Sequence, residues 1–157
     1  MADDKLLSRC EAKAIYQNLL DIIGQAIECA DFDSYAPHFS LPHRMVAPEN
    51  SVIIRDQNHL RTLFDGMIDT LRRQSVKGLT RACTIAEFVD AETIRGSHDT
   101  WLLNEAAQIK QSYVALSTLR LIDGHWMVSD SQYDSASAAL PDEITRRLAQ
   151  QGNAFSP

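Results

Sequence analysis

A chain of 157 residues has the usual length of one domain and buries a full core, and its 45% hydrophobic and 23% charged residues exclude disorder. The net charge of −6 repels polyanions, and the densest basic pairs, Arg72-Arg73 and Arg146-Arg147, sit in mixed-charge stretches, so nucleic-acid binding is not expected. Cys10, Cys29 and Cys83 are odd in number and far apart, which suits a reducing cytoplasm better than a disulfide framework or a zinc site. The opening Met1-Ala2-Asp3-Asp4-Lys5 is acidic where a leader is basic, and no apolar run nears the ~20 residues that span a bilayer. The expectation is a cytoplasmic protein with no membrane partner.

Along the chain, residues 4–30 carry Ile15, Leu19, Ile22, Ile23, Ala26, Ile27 and Ala30 as one stripe, the pattern of an amphipathic helix. Asp33 is placed to cap a short helix running to Phe39. Residues 43–48 alternate loosely as a first strand, and the β-branched Val52-Ile53-Ile54 forms a second. Asp56 then caps a helix whose apolar face is Leu60, Leu63, Phe64, Met67, Ile68 and Leu71.

After Gly78 the period changes from helical to alternating. Residues 79–90, 93–104, 111–122 and 126–133 read as four long strands joined by short connections, hence an antiparallel meander. Asp123-Gly124 suits a tight hairpin because both central positions need positive φ. Pro141, Asp142 and Glu143 open a short C-terminal helix over about residues 140–151, with Arg146 and Arg147 near its end. Helices first and strands afterwards specify an α+β domain: a curved antiparallel sheet with the N-terminal helices on its concave face. No linker or repeat divides it, so residues 1–157 form a single domain. The outer sheet face, with Arg95, Trp101, Val114, Leu116 and Ile122, is assigned to a homodimer contact.

This order of elements resembles the nuclear transport factor 2-like superfamily, a cone-shaped sheet around a helix-backed pocket. Ile27-Glu28-Cys29-Ala30-Asp31-Phe32-Asp33 followed by Phe39 is similar to that family's turn between its first helices. Ile122-Asp123-Gly124-His125-Trp126-Met127-Val128 is similar to its last hairpin. The resemblance covers roughly residues 12–134 and concerns fold rather than activity. Members include ketosteroid isomerases, SnoaL-like cyclases, scytalone dehydratases, dioxygenase β-subunits and non-catalytic transport factors. Ketosteroid isomerase chemistry is excluded, because its base, tyrosine and second acid fall at Ala47, near Ile23 and near Ser117. Thr93-Ile94-Arg95-Gly96-Ser97-His98 resembles the dehydratase strand that carries a pocket histidine. Of an Arg-His…Asn pattern common in SnoaL-like and β-subunit chains, only Arg81 remains here.

Strand parity, with His98 turned inwards, adds Ile94, Gly96, Thr100 and Leu102 to the same face. It places Tyr113, Ala115, Ser117, Leu119 and Leu121 beside them, then Trp126, Val128 and Asp130 on the last strand. The family register adds His43, Met45 and Ala47. The expected result is an apolar cup in which His98 and Asp130 form a general-base pair, with His43, Met45, Tyr113, Ser117 and Trp126 against the ligand. The structural alternative has His98 bonded to a backbone carbonyl and Asp130 capping a turn. His38, His59 and His125 lack metal-ligand spacing, so neither a metal nor a cofactor is expected. Two functions stay open. One is a cofactor-independent cyclase, dehydratase or isomerase acting on a small carbonyl compound. The other is a non-catalytic binding or assembly subunit.

Overall fold

The computed structural model describes residues 2–48 and 51–134, and the expected C-terminal helix lies outside them. The elements are α1 (Ala2–Glu28), α2 (Phe32–Tyr35), a 3-10 turn (Ala36–His38), β1 (Phe39–Val46), β2 (Ser51–Ile54), α3 (Gln57–Arg73), β3 (Gly78–Asp90), β4 (Thr93–Leu103), β5 (Ile109–Ile122) and β6 (His125–Tyr133). This is the α+β arrangement the periodicity requires, helices first and a long-stranded meander afterwards.

The caps explain several boundaries. Asp56 accepts the His59 backbone N–H at 2.9 Å, satisfying one of the open amides that start α3. The short helix is capped by Asp31 rather than Asp33, with its carboxylate taking both the Ser34 amide and hydroxyl. Its early end leaves Phe39 free to begin β1, four residues before the expected strand start. At the β5–β6 turn, Asp123 and Gly124 both have positive φ, 50° and 80°, as a tight hairpin of this kind demands.

The six strands form one sheet in the order β2-β1-β6-β5-β4-β3. Four of the five pairings are antiparallel, and β1 lies parallel to β6. The sheet is therefore mixed at that one seam: the β1–β2 hairpin is completed before α3, and the meander returns its last strand alongside β1 in the same sense. β3 is an edge strand, and α1 covers its unpaired backbone. Gln17 accepts from Cys83 N at 2.8 Å and donates to Arg81 O at 2.9 Å, while Glu28 accepts from Leu79 N at 2.9 Å.

One core joins α1, α3 and the concave face. Leu60, Leu63, Phe64, Met67, Ile68 and Leu71 are all buried, as the apolar stripe of α3 specifies, and Phe64 packs against the rings of Phe32 and Tyr35. On α1 the buried line runs Ala12, Tyr16, Leu19, Leu20, Ile23, Ala26 and Ile27. The expected stripe was centred one position away, so Ile22 is exposed and Tyr16, absent from it, is buried at 1%.

Candidate functional site

Between α1, α3 and the concave sheet face lies a cavity of about 60 Å³. Its walls are apolar, supplied by Leu19, Leu20 and Ile23 of α1, Leu63 and Met67 of α3, and Leu102, Leu119 and Val128 of the sheet. The polar lining consists of tyrosines 16, 35, 113 and 133, Ser117, Ser131, His43 and one charged residue, Arg81. His43, Met45, Tyr113 and Ser117, assigned to the pocket from strand parity and family register, all lie on this lining.

Three expected site residues sit elsewhere. Asp130 does not line the cavity, because β6 carries an extra residue. Leu119 pairs with Val128 but Thr118 pairs with Asp130, leaving Ser129 as a bulge. The bulge reverses the alternation: Val128 and Ser131 face inwards, and Asp130 turns to the opposite face beside Arg44 of β1. Trp126 keeps the expected face but lies at the hairpin end of β6. There it meets the Phe88 ring at a centroid distance of 6.1 Å and lines a separate groove with Ile15, Ile22 and Met127. His98 is turned inwards and 2% exposed, yet it stands behind the cavity wall, covered by Tyr16 and Arg81.

The hydrogen bonds around His98 have a direction. A guanidinium can only donate, so Arg81 Nη2, 3.2 Å from His98 Nε2, makes that nitrogen the acceptor. The ring proton is then on Nδ1, which donates to the Tyr16 hydroxyl oxygen at 2.6 Å. The Tyr16 O–H proton is thereby left pointing away from His98, available to Ser117 or to a bound molecule. Burial first, and the Arg81 charge second, push the His98 pKa down to about 3, so the imidazole stays neutral. Burial pushes the Tyr16 phenol upwards, so it remains a donor.

His43 is likewise committed at both nitrogens. The Val128 carbonyl, 3.3 Å from Nδ1, accepts its proton, and Ser131 Oγ donates to Nε2 at 3.3 Å. Burial lowers its pKa to about 4, against smaller upward pulls from the Val128 carbonyl and the Asp130 charge. The cavity thus has one imidazole on its lining and another behind its wall, neither with a free lone pair, and among the described residues no carboxylate lines it. One lining residue keeps an unused donor: Arg81 Nη1 is buried and has no hydrogen-bond partner among the described residues. No group of His, Cys, Asp and Glu among the described residues could hold a metal ion.

An NTF-2-like protein of unknown function from Shewanella oneidensis superposes with a TM-score of 0.54 at 12% identity, over 86% of this chain and 100% of that one. The chain has the nuclear transport factor 2-like fold. A ketosteroid isomerase-like protein from Erwinia carotovora atroseptica gives 0.58 at 15% identity, over 81% of this chain and 98% of that one. LinA gives 0.60 at 18% identity, over 85% and 89%. No family profile and no curated protein sequence matches the chain. No helix among the described residues is long and apolar enough to cross a membrane.

Sequence reasoning missed Tyr16 and noted Arg81 only as a remnant of a family pattern. Arg81 occupies a strand position where an arginine normally signals solvent. Its parity with the buried Cys83, two residues on along β3, is the signal that turns it inwards.

Proposed function

We propose that this chain binds a small, largely apolar molecule in the cavity between α1, α3 and the sheet, and releases it unchanged. The observation that carries the reading is Arg81 Nη1, a buried donor without a partner at the wall of an otherwise apolar space. Leaving such a donor unpaired costs about 1–3 kcal/mol, which an oxygen-bearing ligand recovers. Tyr16, Ser117, Tyr113 and His43 are the remaining polar groups placed to orient it.

The catalytic reading, a cyclase, dehydratase or isomerase of small carbonyl compounds, keeps Arg81 and Tyr16 as oxygen-binding groups. It lacks a base. His98 bonds to Arg81 and Tyr16 rather than Asp130, His43 is occupied at both nitrogens, and the described lining has no carboxylate. A thermal-shift screen of small aromatic and aliphatic ketones, aldehydes and acids separates the two, with hits followed by NMR for conversion. Hits are expected to raise Tm by several degrees in the wild type, to do nothing to Ser117→Leu, whose larger side chain enters the cavity, and to come back chemically intact. Conversion of a hit would install the enzymatic reading instead. Equal stabilisation of Ser117→Leu would move the ligand out of this cavity.

We further propose that the chain forms a homodimer through its outer sheet face. Val114 and Leu116 project there with 37% and 45% exposure, beside the half-buried Trp101. Sedimentation at micromolar concentration should give a dimer that Leu116→Glu converts to monomer. A wild-type monomer would refute the assignment.

A further inference from the structure

We propose that the ligand of the cavity is a small monocarboxylate, with one oxygen on Arg81 Nη1, the Tyr16 hydroxyl as second donor, and its apolar body against the helix-facing wall. The inference rests on the binding reading above and names the chemical class of what binds.

The argument is one of charge. Among the described residues, Arg81 is the single charged residue of the lining and no carboxylate lies within ion-pair distance of it. Its one side-chain hydrogen bond goes to a neutral imidazole nitrogen, which fixes the guanidinium plane without cancelling its charge. A carboxylate in the place of His98 would hold the arginine equally well and quench it. The imidazole leaves a half-buried positive charge uncompensated and, at Nη1, a buried N–H without a partner among the described residues, and a small anion answers both. A ketone or amide satisfies the N–H but leaves the charge. A dianion such as phosphate brings twice the charge that one guanidinium balances and has no apolar body for walls made of leucine, isoleucine, methionine and valine. A monocarboxylate matches both, and a guanidinium binds it through short charge-assisted hydrogen bonds.

Tyr16 completes the site through the direction of its hydrogen bonds. Because Arg81 forces the ring proton of His98 onto Nδ1, the tyrosine oxygen is an acceptor towards His98 and its own proton points away from the ring, on the side of Ser117, from which a ligand oxygen can take it over. His98 is in this sense a positioning residue for both donors, reaching the ligand through neither of its own nitrogens.

The test is calorimetric titration of the wild-type chain at pH 7 and constant ionic strength with butyrate and benzoate, against butyramide and benzamide as matched neutral forms. The acids should bind at least about tenfold more tightly than the amides, one charge-assisted pair being worth that much. Arg81→Gln should erase the preference, and Arg81→Lys should keep part of it, since the charge remains while the planar fork is lost. If acid and amide bind alike, the charge argument fails while the binding reading stands. If neither class binds, both fail. If sodium chloride competes as strongly as butyrate, the site takes any small anion, and the carboxylate assignment is wrong. The comparison of acids with amides uses only the wild-type protein, so it decides the matter even if the Arg81 variants do not fold.

Discussion

Gly96→Ala should cost this protein about 2–6 kcal/mol of stability and release Tyr16 from His98. A Cβ at position 96 would stand 2.6 Å from Tyr16 Cε2 and 2.7 Å from the Ile85 carbonyl oxygen, both far inside contact distance. Neither neighbour yields easily. The carbonyl belongs to the β3 backbone just after a bulge, where Cys83 pairs with His98 and Ile85 with Ser97. The Tyr16 ring is fixed by its 2.6 Å hydrogen bond and by burial. Overpacking by one methyl usually costs 1–3 kcal/mol, and displacing Tyr16 adds about 1–3 kcal/mol for the His98 N–H left without an acceptor. Urea unfolding measures the sum. The combined variant Gly96→Ala with Tyr16→Leu should fall short of additivity, because the second change removes one of the two clashes and the contact already lost. A loss below about 1 kcal/mol in Gly96→Ala would mean that α1 can lift from the sheet at little cost.

Elements with strong periodicity and chemically distinct ends were legible in the chain. Asp56, the apolar face of α3 and the Asp123-Gly124 turn each follow from local rules that tertiary packing does not override. The cavity face of β4 was legible too, since Ile94, Gly96, His98, Thr100 and Leu102 alternate without interruption and all are buried. What parity cannot see is a bulge. A single extra residue at Ser129 moves Asp130 to the other face, and nothing in Val128-Ser129-Asp130-Ser131 announces it.

Two polar residues of the cavity lining, Tyr16 and Arg81, are less legible because each is disguised by its element. Tyr16 sits on a helix whose apolar positions are numerous enough to support two stripe phases one residue apart. The sheet chooses the phase through Gln17, whose two hydrogen bonds to the β3 edge fix the rotation of α1. Arg81 is polar on a strand and is expected outside, yet the same clamp holds its carbonyl and its side chain turns under α1. The pairing His98–Asp130 does not form: the bulge turns Asp130 away, and the histidine already has two partners, Tyr16 and Arg81, both of which line the cavity.

Stability should fall steeply as the solution is acidified from pH 6.5 to 4, ahead of ordinary carboxylate titration. The unfolded imidazoles of His43 and His98 take up protons near pH 6.5, whereas in the fold burial depresses their pKa values to about 4 and about 3. For groups depressed in the native state, the stabilising contribution is complete above 6.5 and is lost as pH falls towards the native values. Near pH 5 the unfolded chain holds about two protons that the native state refuses, a slope of about 2.7 kcal/mol per pH unit. His38, lowered by burial as well, adds in the same direction. Over a single unit that is a large part of the ~5–15 kcal/mol that holds a domain together. Denaturation midpoints at pH 7.5, 6.5, 5.5 and 4.5 give the profile. His43→Asn should lower starting stability and reduce the slope by about half, because the imidazole of His98 then titrates alone. A profile flat from 7.5 to 4.5 would mean that one or both rings accept protons in place, and a protonated His98 would have to release Nε2 from Arg81, since two donors cannot face each other. The neutral, acceptor state of that ring is what allows the Arg81 Nη2 hydrogen bond, so the acid limb of the stability curve reports on the same arrangement that the proposed ligand would use.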